Sequence, residues 1–499
     1  EKMDEKLRFL RKKWGKLIVF GLIFGVVTHG MILFNDLPNG DGLLSNYYTF
    51  QRTITSGRWL LGIACLISGP FTVPVINGII SIILVTMSAI LIIDLFNVNQ
   101  KINQVLIVAL MVSFPTLASG LLYMFTVDGY MISLFLSIFA IWILHRSKIK
   151  IVGELVSIVC IAGSMGIYQA YISVTMTICI LNCILLILKN KTKILKIIIK
   201  YLTCGIFGAI LYFVLLKVIL GITGLKLVEY QGIAGAATPL TISEMLLRIK
   251  VIYMQSIITF CAKLFINKLF VILILVQWII ILYYIICEKE IKDLLKIIIC
   301  FMALPVCLLP IYLTSTDVDY HLLMKYSWVL IYIYILVLAE RLNLSKAMDK
   351  LIIIFTCIII YGFMLGNNSM YEYASLRYDR TSMLLNRIQG QLESGQYNMN
   401  KKIGIFYEGD GDEKYQIITR IYPYADKKYI DVYDYNAEAT MKLYFTDNFK
   451  YMERQQCIKY ENTKEYQQMK LKGQSFKIFE TKQYIIVKVN SGIKREEKE

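Results

Sequence analysis

Residues 74–96, PVINGIISIILVTMSAILIIDLF, decide the fold class of this chain. The stretch carries a single charged residue, Asp94, and is otherwise made almost entirely of apolar and small side chains. A helix of roughly 20 such residues crosses a hydrocarbon core about 30 Å thick. The stretch therefore predicts a transmembrane helix.

Similar apolar runs recur through the first three quarters of the sequence. The chain has 499 residues, of which 57% are hydrophobic, and its mean hydropathy is +0.58, whereas a soluble domain is usually about 45–50% apolar. The composition excludes an ordinary soluble protein and predicts an α-helical polytopic membrane protein. We predict about eleven spans, at residues 15–34, 74–96, 103–123, 128–144, 150–167, 170–188, 199–220, 267–287, 295–313, 326–340 and 350–366.

The basic residues predict the orientation, because short loops rich in lysine and arginine stay in the cytoplasm. We expect a multi-pass protein of the cell membrane with a cytoplasmic N-terminus and an extracytoplasmic C-terminus. Two further segments, 57–72 and 243–266, are predicted to be interfacial or re-entrant helices on the outer face. The predicted cytoplasmic loops are marked by Lys101, by Arg146, Lys148 and Lys150, by Lys189, Lys191, Lys193 and Lys196, by Lys289, Lys292 and Lys296, and by Arg341, Lys346 and Lys350.

A change in composition near Gly366 divides the chain into two predicted domains, a transmembrane domain over 1–366 and an extracytoplasmic soluble α+β domain over 367–499. The second domain begins with a predicted amphipathic helix between Tyr371 and Leu392. Five strand-like runs follow: KKIGIFY (401–407), KYIDVYDY (428–435), MKLYF (441–445), FKIFE (476–480) and YIIVKV (484–489).

The formal charge of +17 does not predict a nucleic-acid partner. The basic residues cluster beside the apolar runs, where they contact lipid head groups. Membrane lipid is therefore the expected partner of these residues. The 11 cysteines show no metal-ligand spacing, and we read most of them as small core residues.

Ionisable side chains close to the membrane are costly, which makes them candidates for function. The outer side of the predicted bundle collects several, together with aromatic residues. The candidate catalytic carboxylates are Asp41, Asp128 and Asp36; the candidate cations for a donor phosphate are Arg58, Lys325 and Arg52; the candidate substrate-binding residues are Tyr168, Gln169, His321 and Tyr130.

Each candidate also has a structural reading. Asp36 lies at a helix end and Asp41 between two glycines, where carboxylates cap helices or form turns. Asp128 could belong to a buried ion pair, and Arg58 could extend from an interfacial helix to the membrane surface. Tyr168 and the glutamine after it could hydrogen-bond neighbouring helices.

A divalent metal has weak support in the sequence. Asp317, Asp319 and His321 lie close together in a predicted outer loop, and this residue set could bind such an ion. For His321 alone, a place in a surface loop is the slightly better interpretation. No cofactor is predicted with certainty.

Three motifs carry a resemblance to a known family. They are SGRWLLG at 56–62, YMFTVDGYM at 123–131 and GIYQAYIS at 166–173, and they follow an acidic first outer loop. In this order and spacing the sequence resembles the bacterial and phage glucosyltransferase II family, multispanning enzymes that modify O-antigen and other surface polysaccharides. One departure concerns the first loop, where family members often carry a paired acidic HDD-like sequence and this chain has NGDG around Asp41.

The resemblance implies a GT-C-like glycosyltransferase that uses a polyprenyl-phosphate donor such as an undecaprenyl-phosphate sugar. A hexose, expected to be glucose, would pass to a surface polysaccharide or lipid-linked glycan outside the membrane. In this reading Asp41 is the general base of an inverting reaction, and Arg58 stabilises the leaving phosphate. Asp128 would orient sugar hydroxyls or share the base role.

Two other function classes stay open on the sequence. A polysaccharide transporter or flippase also needs polar residues inside a bundle, but it should show charges through the membrane depth or inverted repeats. A non-enzymatic envelope assembly protein would use the tail as a binding module and would leave the SGRW and TVDG segments without a role.

Overall fold

The computed structural model describes residues 2–37, 41–42, 50–69, 72–190, 194–228, 241–264, 267–316, 318–395, 397–408, 437–445, 449–471 and 474–490. The chain divides into two compact units. The first, here called the helical unit, consists of Glu1–Phe34 and Tyr48–Asn367. The second, here called the mixed unit, consists of Asn35–Tyr47 and Asn368–Glu499.

The helical unit is built from long apolar helices joined by short helical turns. Its longer helices are Lys2–Leu33, Pro74–Phe96, Lys101–Ser113, Val127–Arg146, Lys150–Ile167, Ile172–Leu188, Ile194–Thr223, Ile242–Ile258, Lys268–Glu288, Ile291–Leu308, Val329–Ala339 and Lys346–Ser394, the last of which continues beyond Asn367. The shorter turns are Phe50–Thr55, Leu61–Ala64, Cys65–Ser68, Pro115–Leu121, Gln169–Tyr171, Thr259–Lys263, Pro310–Leu313, Leu322–Met324 and Tyr326–Trp328.

Among the described residues, eight helices are long and apolar enough to cross a membrane. A ninth span results if Lys101–Ser113 and Pro115–Leu121, which are bent by 41°, count as one. The bend follows from Pro115, since a proline forces the preceding residue into an extended conformation, and Phe114 has φ −61° and ψ 134°. These helices are those of a membrane protein.

The two other predicted spans meet this standard less well. The span predicted at 295–313 corresponds to Ile291–Leu308, whose first turns contain Lys292, Asp293 and Lys296. The span predicted at 326–340 corresponds to the shorter apolar helix Tyr326–Ala339. The number eleven therefore stays a prediction.

In the described parts of the two predicted interfacial segments, no helix qualifies as a span. The first folds into the short turns Leu61–Ala64 and Cys65–Ser68. The second is the helix Ile242–Ile258, which begins with a capping box formed by Thr241 and Glu244.

Three of the predicted cytoplasmic loops lie together at one end of the helical unit. Arg146 forms an ion pair with Asp94, with 3.0 Å between Nε and Oδ2, and Arg341 donates a hydrogen bond of 2.7 Å to the carbonyl of Asn97. We call these four residues the basic end. Tyr130 lies in the first turn of Val127–Arg146, and a helix of this length spans about 30 Å, so Tyr130 and the basic end are far apart.

The described residues of the mixed unit form a three-stranded sheet, with β1 at Lys402–Glu408, β2 at Phe476–Glu480 and β3 at Tyr484–Asn490. The strand order is β1-β3-β2, with β1 parallel and β2 antiparallel to β3. The sheet confirms the runs KKIGIFY, FKIFE and YIIVKV as strands, whereas KYIDVYDY lies outside the described residues. The short helices of this unit are Ala437–Tyr444, Arg454–Glu461 and Lys464–Gln468.

The prediction of a strand at 441–445 is wrong, because Ala437–Tyr444 is a helix. Met441 and Phe445 are both buried in one core, and residues four apart lie on the same face of a helix. The same core contains Leu384, Leu385, Ile388 and Leu392 from the end of the long helix, together with Ile403, Ile405, Ile478, Ile485, Val487 and Val489 from the sheet.

Candidate functional site

The SGRW segment is held by side chains from two other parts of the helical unit. The side-chain amide of Gln169 donates to the carbonyl of Ser56 at 3.1 Å and to the hydroxyl of Tyr212 at 3.0 Å. Tyr212 in turn donates to the carbonyl of Gly57 at 3.0 Å. Gly57 has φ +77°, and a Cβ there would lie 2.6 Å from Nε2 of Gln169. Only glycine fits this tight turn.

The next residues of the segment pack on the end of helix Lys150–Ile167. The amide of Leu60 donates to the carbonyl of Gly166 at 2.8 Å, and the indole ring of Trp59 covers Gly166 so closely that a Cβ would approach it to 2.6 Å. Trp59 itself packs between helices with Ala162 and Tyr212.

Arg58 lies between the bonded turn at Gly57 and the packed Trp59. It contacts a row of aromatic rings formed by Tyr130, Tyr168 and Tyr171, here called the aromatic row. Its Nη1 donates to the hydroxyl of Tyr130 at 3.2 Å, and its guanidinium carbon is 5.0 Å from the centroid of the Tyr168 ring. The rings of Tyr130 and Tyr168 are 4.4 Å apart, and Tyr168 meets Tyr171 edge-on at 5.0 Å. The structure thus brings one residue from each of the three motifs into contact.

Asp128 is fully buried at the start of helix Val127–Arg146. Its Oδ2 accepts a 2.5 Å hydrogen bond from the hydroxyl of Ser68, and its Oδ1 accepts one of 2.9 Å from the amide of Gly129. Asn77 donates to the Ser68 hydroxyl at 2.8 Å and accepts from the amide of Val73 at 2.9 Å. No cation of the described chain forms an ion pair with Asp128, so a buried ion pair does not explain this carboxylate.

The glycine after Asp128 allows this network to form. A Cβ on Gly129 would lie 2.5 Å from Sγ of Cys65 and 2.9 Å from Cδ1 of Leu61. Helix Val127–Arg146 therefore begins in close contact with the turn that contains Ser68. The DG pair of the TVDG motif has two structural functions. The aspartate accepts a hydrogen bond from the turn, and the glycine leaves the space that the turn needs to pack against the helix.

The connection that precedes helix Val329–Ala339 places a second cation, Lys325, beside aromatic residues. Lys325 is 2% exposed, and its Nζ is 5.0 Å from the centroid of the Tyr320 ring. Trp328 donates through Nε1 to the Tyr320 hydroxyl at 3.2 Å. His321 and Asp319 pair at 3.5 Å between Nδ1 and Oδ2, with side chains 51% and 77% exposed, which is a surface arrangement.

Two of the candidate carboxylates belong to the other compact unit. Asp36 is exposed and Asp41 is half-buried, and both belong to the mixed unit, whereas Arg58 and Asp128 belong to the helical unit. The side chain of Arg52 lies outside the described residues, as does Asp317, the third member of the possible metal set.

No group of three or more histidine, cysteine, aspartate or glutamate side chains in the described residues could hold a metal ion. Of the conceivable metal set, the described residues contain only Asp319 and His321. The described geometry therefore adds no support to a metal site.

Sequence reasoning did not identify Ser68, Asn77, Tyr171 and Tyr212 as members of the site. Asn77 and Tyr212 gave a detectable signal, since both are polar residues inside an apolar run where a partner is required. Tyr171 follows Tyr168 by three residues within the GIYQAYIS motif. Ser68 gave no signal, because a single serine near a turn is common.

Comparison with known proteins identifies one family. The family model described as Glucosyl transferase GtrII matches residues 30–338, which include all three motifs. No curated protein and no solved structure matches the chain. The matched stretch exceeds half of the 499 residues, confirms the resemblance inferred from the motifs and supports a glycosyltransferase role. The chain belongs to the glucosyl transferase GtrII family.

Proposed function

We propose that this chain transfers a hexose, glucose in the first instance, from a polyprenyl-phosphate donor to a surface polysaccharide or lipid-linked glycan on the outer side of the membrane, with inversion at the anomeric carbon. Membership of a glucosyl transferase family supports the reaction class. The long apolar helices support a lipid donor, because an isoprenoid tail can stay in the bilayer while its sugar phosphate reaches the membrane surface.

The observation that carries this proposal is the setting of Arg58. Its guanidinium is hydrogen-bonded to Tyr130 and lies on the face of Tyr168. A cation fixed in advance stabilises the negative charge that develops on a leaving phosphate without reorganising during the reaction. Aromatic rings beside the cation offer apolar faces for a sugar ring. Lys325 is the second candidate for the phosphate and Arg52 the third.

We propose Asp41 as the general base, on the basis of its place in the first outer loop. Its carboxylate would take the proton of the acceptor hydroxyl while that oxygen attacks the anomeric carbon. The bond from the anomeric carbon to the phosphate oxygen breaks, and the polyprenyl phosphate leaves with the electron pair. Asp36 is the alternative base. Both oxygens of Asp128 accept hydrogen bonds from the chain, which favours a positioning role for Asp128 over proton transfer.

The test is transfer of radiolabelled glucose from polyprenyl-phosphate glucose to acceptor glycan in membranes that contain the full chain. We expect Asp41→Asn to lower the transfer rate by a factor of about 100 or more. Arg58→Ala should lower kcat/KM for the donor by about 100-fold, and Arg58→Lys should recover part of it, because the charge returns without the planar fork. Arg146→Ala, which removes an arginine at the basic end, is the matched control.

Three outcomes would contradict parts of this proposal. A wild-type chain that transfers no sugar from the lipid donor would refute the donor assignment. Retained transfer in Asp41→Asn would remove that residue from the base role. Equal losses in Arg58→Ala and Arg146→Ala, with equal expression, would show that Arg58 acts only through stability.

A further inference from the structure

We propose that the hydroxyl of Tyr171 binds a hydroxyl group of the hexose carried by the lipid donor. This inference rests on the proposed function and adds a substrate-binding residue to it. Tyr171 is fully buried, and its hydroxyl has no hydrogen-bond partner within the part of the chain that the structure describes. Buried polar groups are rarely left in this state, because desolvation without a new hydrogen bond is unfavourable.

Two other buried tyrosines of the helical unit follow the usual rule. The hydroxyl of Tyr326 donates to the carbonyl of Met111 at 2.8 Å, and that of Tyr334 donates to the carbonyl of Leu181 at 2.8 Å. Each of these hydroxyls has an evident structural purpose. A phenylalanine at position 171 would fill the same space without leaving a polar atom unsatisfied. The presence of the hydroxyl therefore suggests that it binds a ligand.

The position of Tyr171 indicates which ligand this is. Its ring meets Tyr168 edge-on at 5.0 Å, and Tyr168 in turn lies under the guanidinium of Arg58. A hexose phosphate has two parts that match this row, a phosphate for the cation and a polyhydroxylated ring for the tyrosines. The phenol group of Tyr171 can donate and accept a hydrogen bond, as a sugar hydroxyl can.

The surroundings of Tyr171 favour a neutral group over an ion. Tyr171 contacts the uncharged side chain of Tyr168, which in turn contacts that of Tyr130. Its ring also meets that of Tyr326 at 6.0 Å. A neutral aromatic environment of this kind suits a sugar hydroxyl, and the charged phosphate is better placed at Arg58.

The experiment compares Tyr171→Phe with Tyr334→Phe in the full-length protein, using polyprenyl-phosphate glucose and a series of donors that each lack one sugar hydroxyl. Tyr171→Phe should keep the wild-type unfolding temperature, because the hydroxyl that it removes makes no bond. We expect it to raise KM for the donor by about tenfold, the size of one hydrogen bond. Tyr334→Phe loses a structural bond, so it should unfold earlier and keep KM within about twofold of the wild type.

The deoxy donors identify the hydroxyl. One of them should bind the wild type about tenfold more weakly than the parent donor but should bind Tyr171→Phe no worse than the parent. An unchanged KM in Tyr171→Phe, with an active wild type, would overturn the inference and leave the proposed function intact. A wild type that transfers no glucose from this donor would refute both. If Tyr171→Phe unfolds earlier than Tyr334→Phe, the hydroxyl is structural and the inference fails.

Discussion

The hydroxyl of Ser68 lies 2.5 Å from Oδ2 of Asp128 and donates a hydrogen bond to it, although 60 residues separate the two in the chain. Asn77 extends this contact by donating to Ser68. The bonds join the turn Cys65–Ser68 to the first turns of two long helices. Arg58 lies ten residues before Ser68 in the same chain segment. The network therefore holds the C-terminal end of the segment that carries Arg58.

The first prediction separates positioning from proton transfer at Asp128. If the carboxylate acts through Ser68, Asp128→Asn and Ser68→Ala should have similar effects, with KM for the donor raised about tenfold and kcat changed less than about threefold. KM for the donor in the double variant should be no higher than in the more impaired single variant, because both substitutions remove the same hydrogen bond. Steady-state glucose transfer in membranes measures all three.

A buried serine outside the network serves as the control for this cycle. Ser88 donates to the carbonyl of Leu84 within its own helix, so Ser88→Ala should leave both kinetic constants unchanged. A loss of kcat of about 100-fold or more in Asp128→Asn, combined with near-normal kcat in Ser68→Ala, would return Asp128 to a direct role in proton transfer.

The sequence predicted that ionisable and aromatic residues collect on one side of the bundle, because short connections between spans end at a membrane face. Arg58, Tyr130 and Tyr168 are in contact in the structure, while their roles in catalysis stay predictions. The bond between Ser68 and Asp128 could not be predicted, since a pairing between distant residues leaves no local pattern in a single sequence.

The long final helix shows a second limit of sequence reasoning. The composition changes near Gly366, yet Lys346–Ser394 continues as a single helix. A change from apolar to polar composition does not end a helix; a proline or a capping residue does. Apolar side chains of this helix beyond Asn367 also pack in the core of the mixed unit, which favours continuation.

The second prediction concerns the close contact between Gly166 and Trp59. Gly166→Ala places a Cβ at 2.6 Å from the indole ring, so it should displace Trp59 and, with it, Arg58. We expect a loss of about 1–3 kcal/mol in stability, typical of an overpacked core, together with weaker donor binding. Thermal unfolding and donor KM measure the two effects.

Gly205 provides the control for Gly166. A Cβ there would have no atom within 4 Å, so Gly205→Ala should leave transfer unchanged and should raise stability, by at most about 1 kcal/mol. Trp59→Phe should partly restore donor binding in the Gly166→Ala background, because the smaller ring leaves room for the methyl group. Wild-type stability and KM in Gly166→Ala alone would show that the contact is not tight.

The third prediction concerns the pH dependence of the mixed unit. Glu480 at the end of β2 accepts a 2.7 Å hydrogen bond from Lys401, which precedes β1, and a second bond from the amide of Asn398. These donors lower the pKa of the Glu480 carboxyl. Because the folded-state pKa lies below that of the unfolded chain, the stabilisation is complete above the ordinary glutamate pKa and is lost as the pH falls through the lowered value.

Hydrogen exchange of β2 and β3 in the full-length protein measures this effect. Exchange should quicken as the pH falls below the ordinary pKa of glutamate, after correction for the intrinsic pH dependence. Glu480→Gln should exchange faster at neutral pH and should lose this component of the pH response. An identical pH response in the variant would assign it to other groups.

The last prediction fixes the sidedness of the helical unit. Arg146 binds the carboxylate of Asp94 in the last turn of helix Pro74–Phe96, and Arg341 binds the carbonyl of Asn97 just after that helix. Basic loops of this kind stay in the cytoplasm. Epitope tags inserted after Ser147 and after Leu344 should therefore bind antibody only in permeabilised cells, whereas a tag after Gly224 should bind it in intact spheroplasts. The reverse pattern would place the basic end outside and the Arg58 aromatic row inside, where a glycan acceptor at the cell surface could not reach it. Such a result would contradict outer-face transfer while leaving the contacts within the helical unit unchanged.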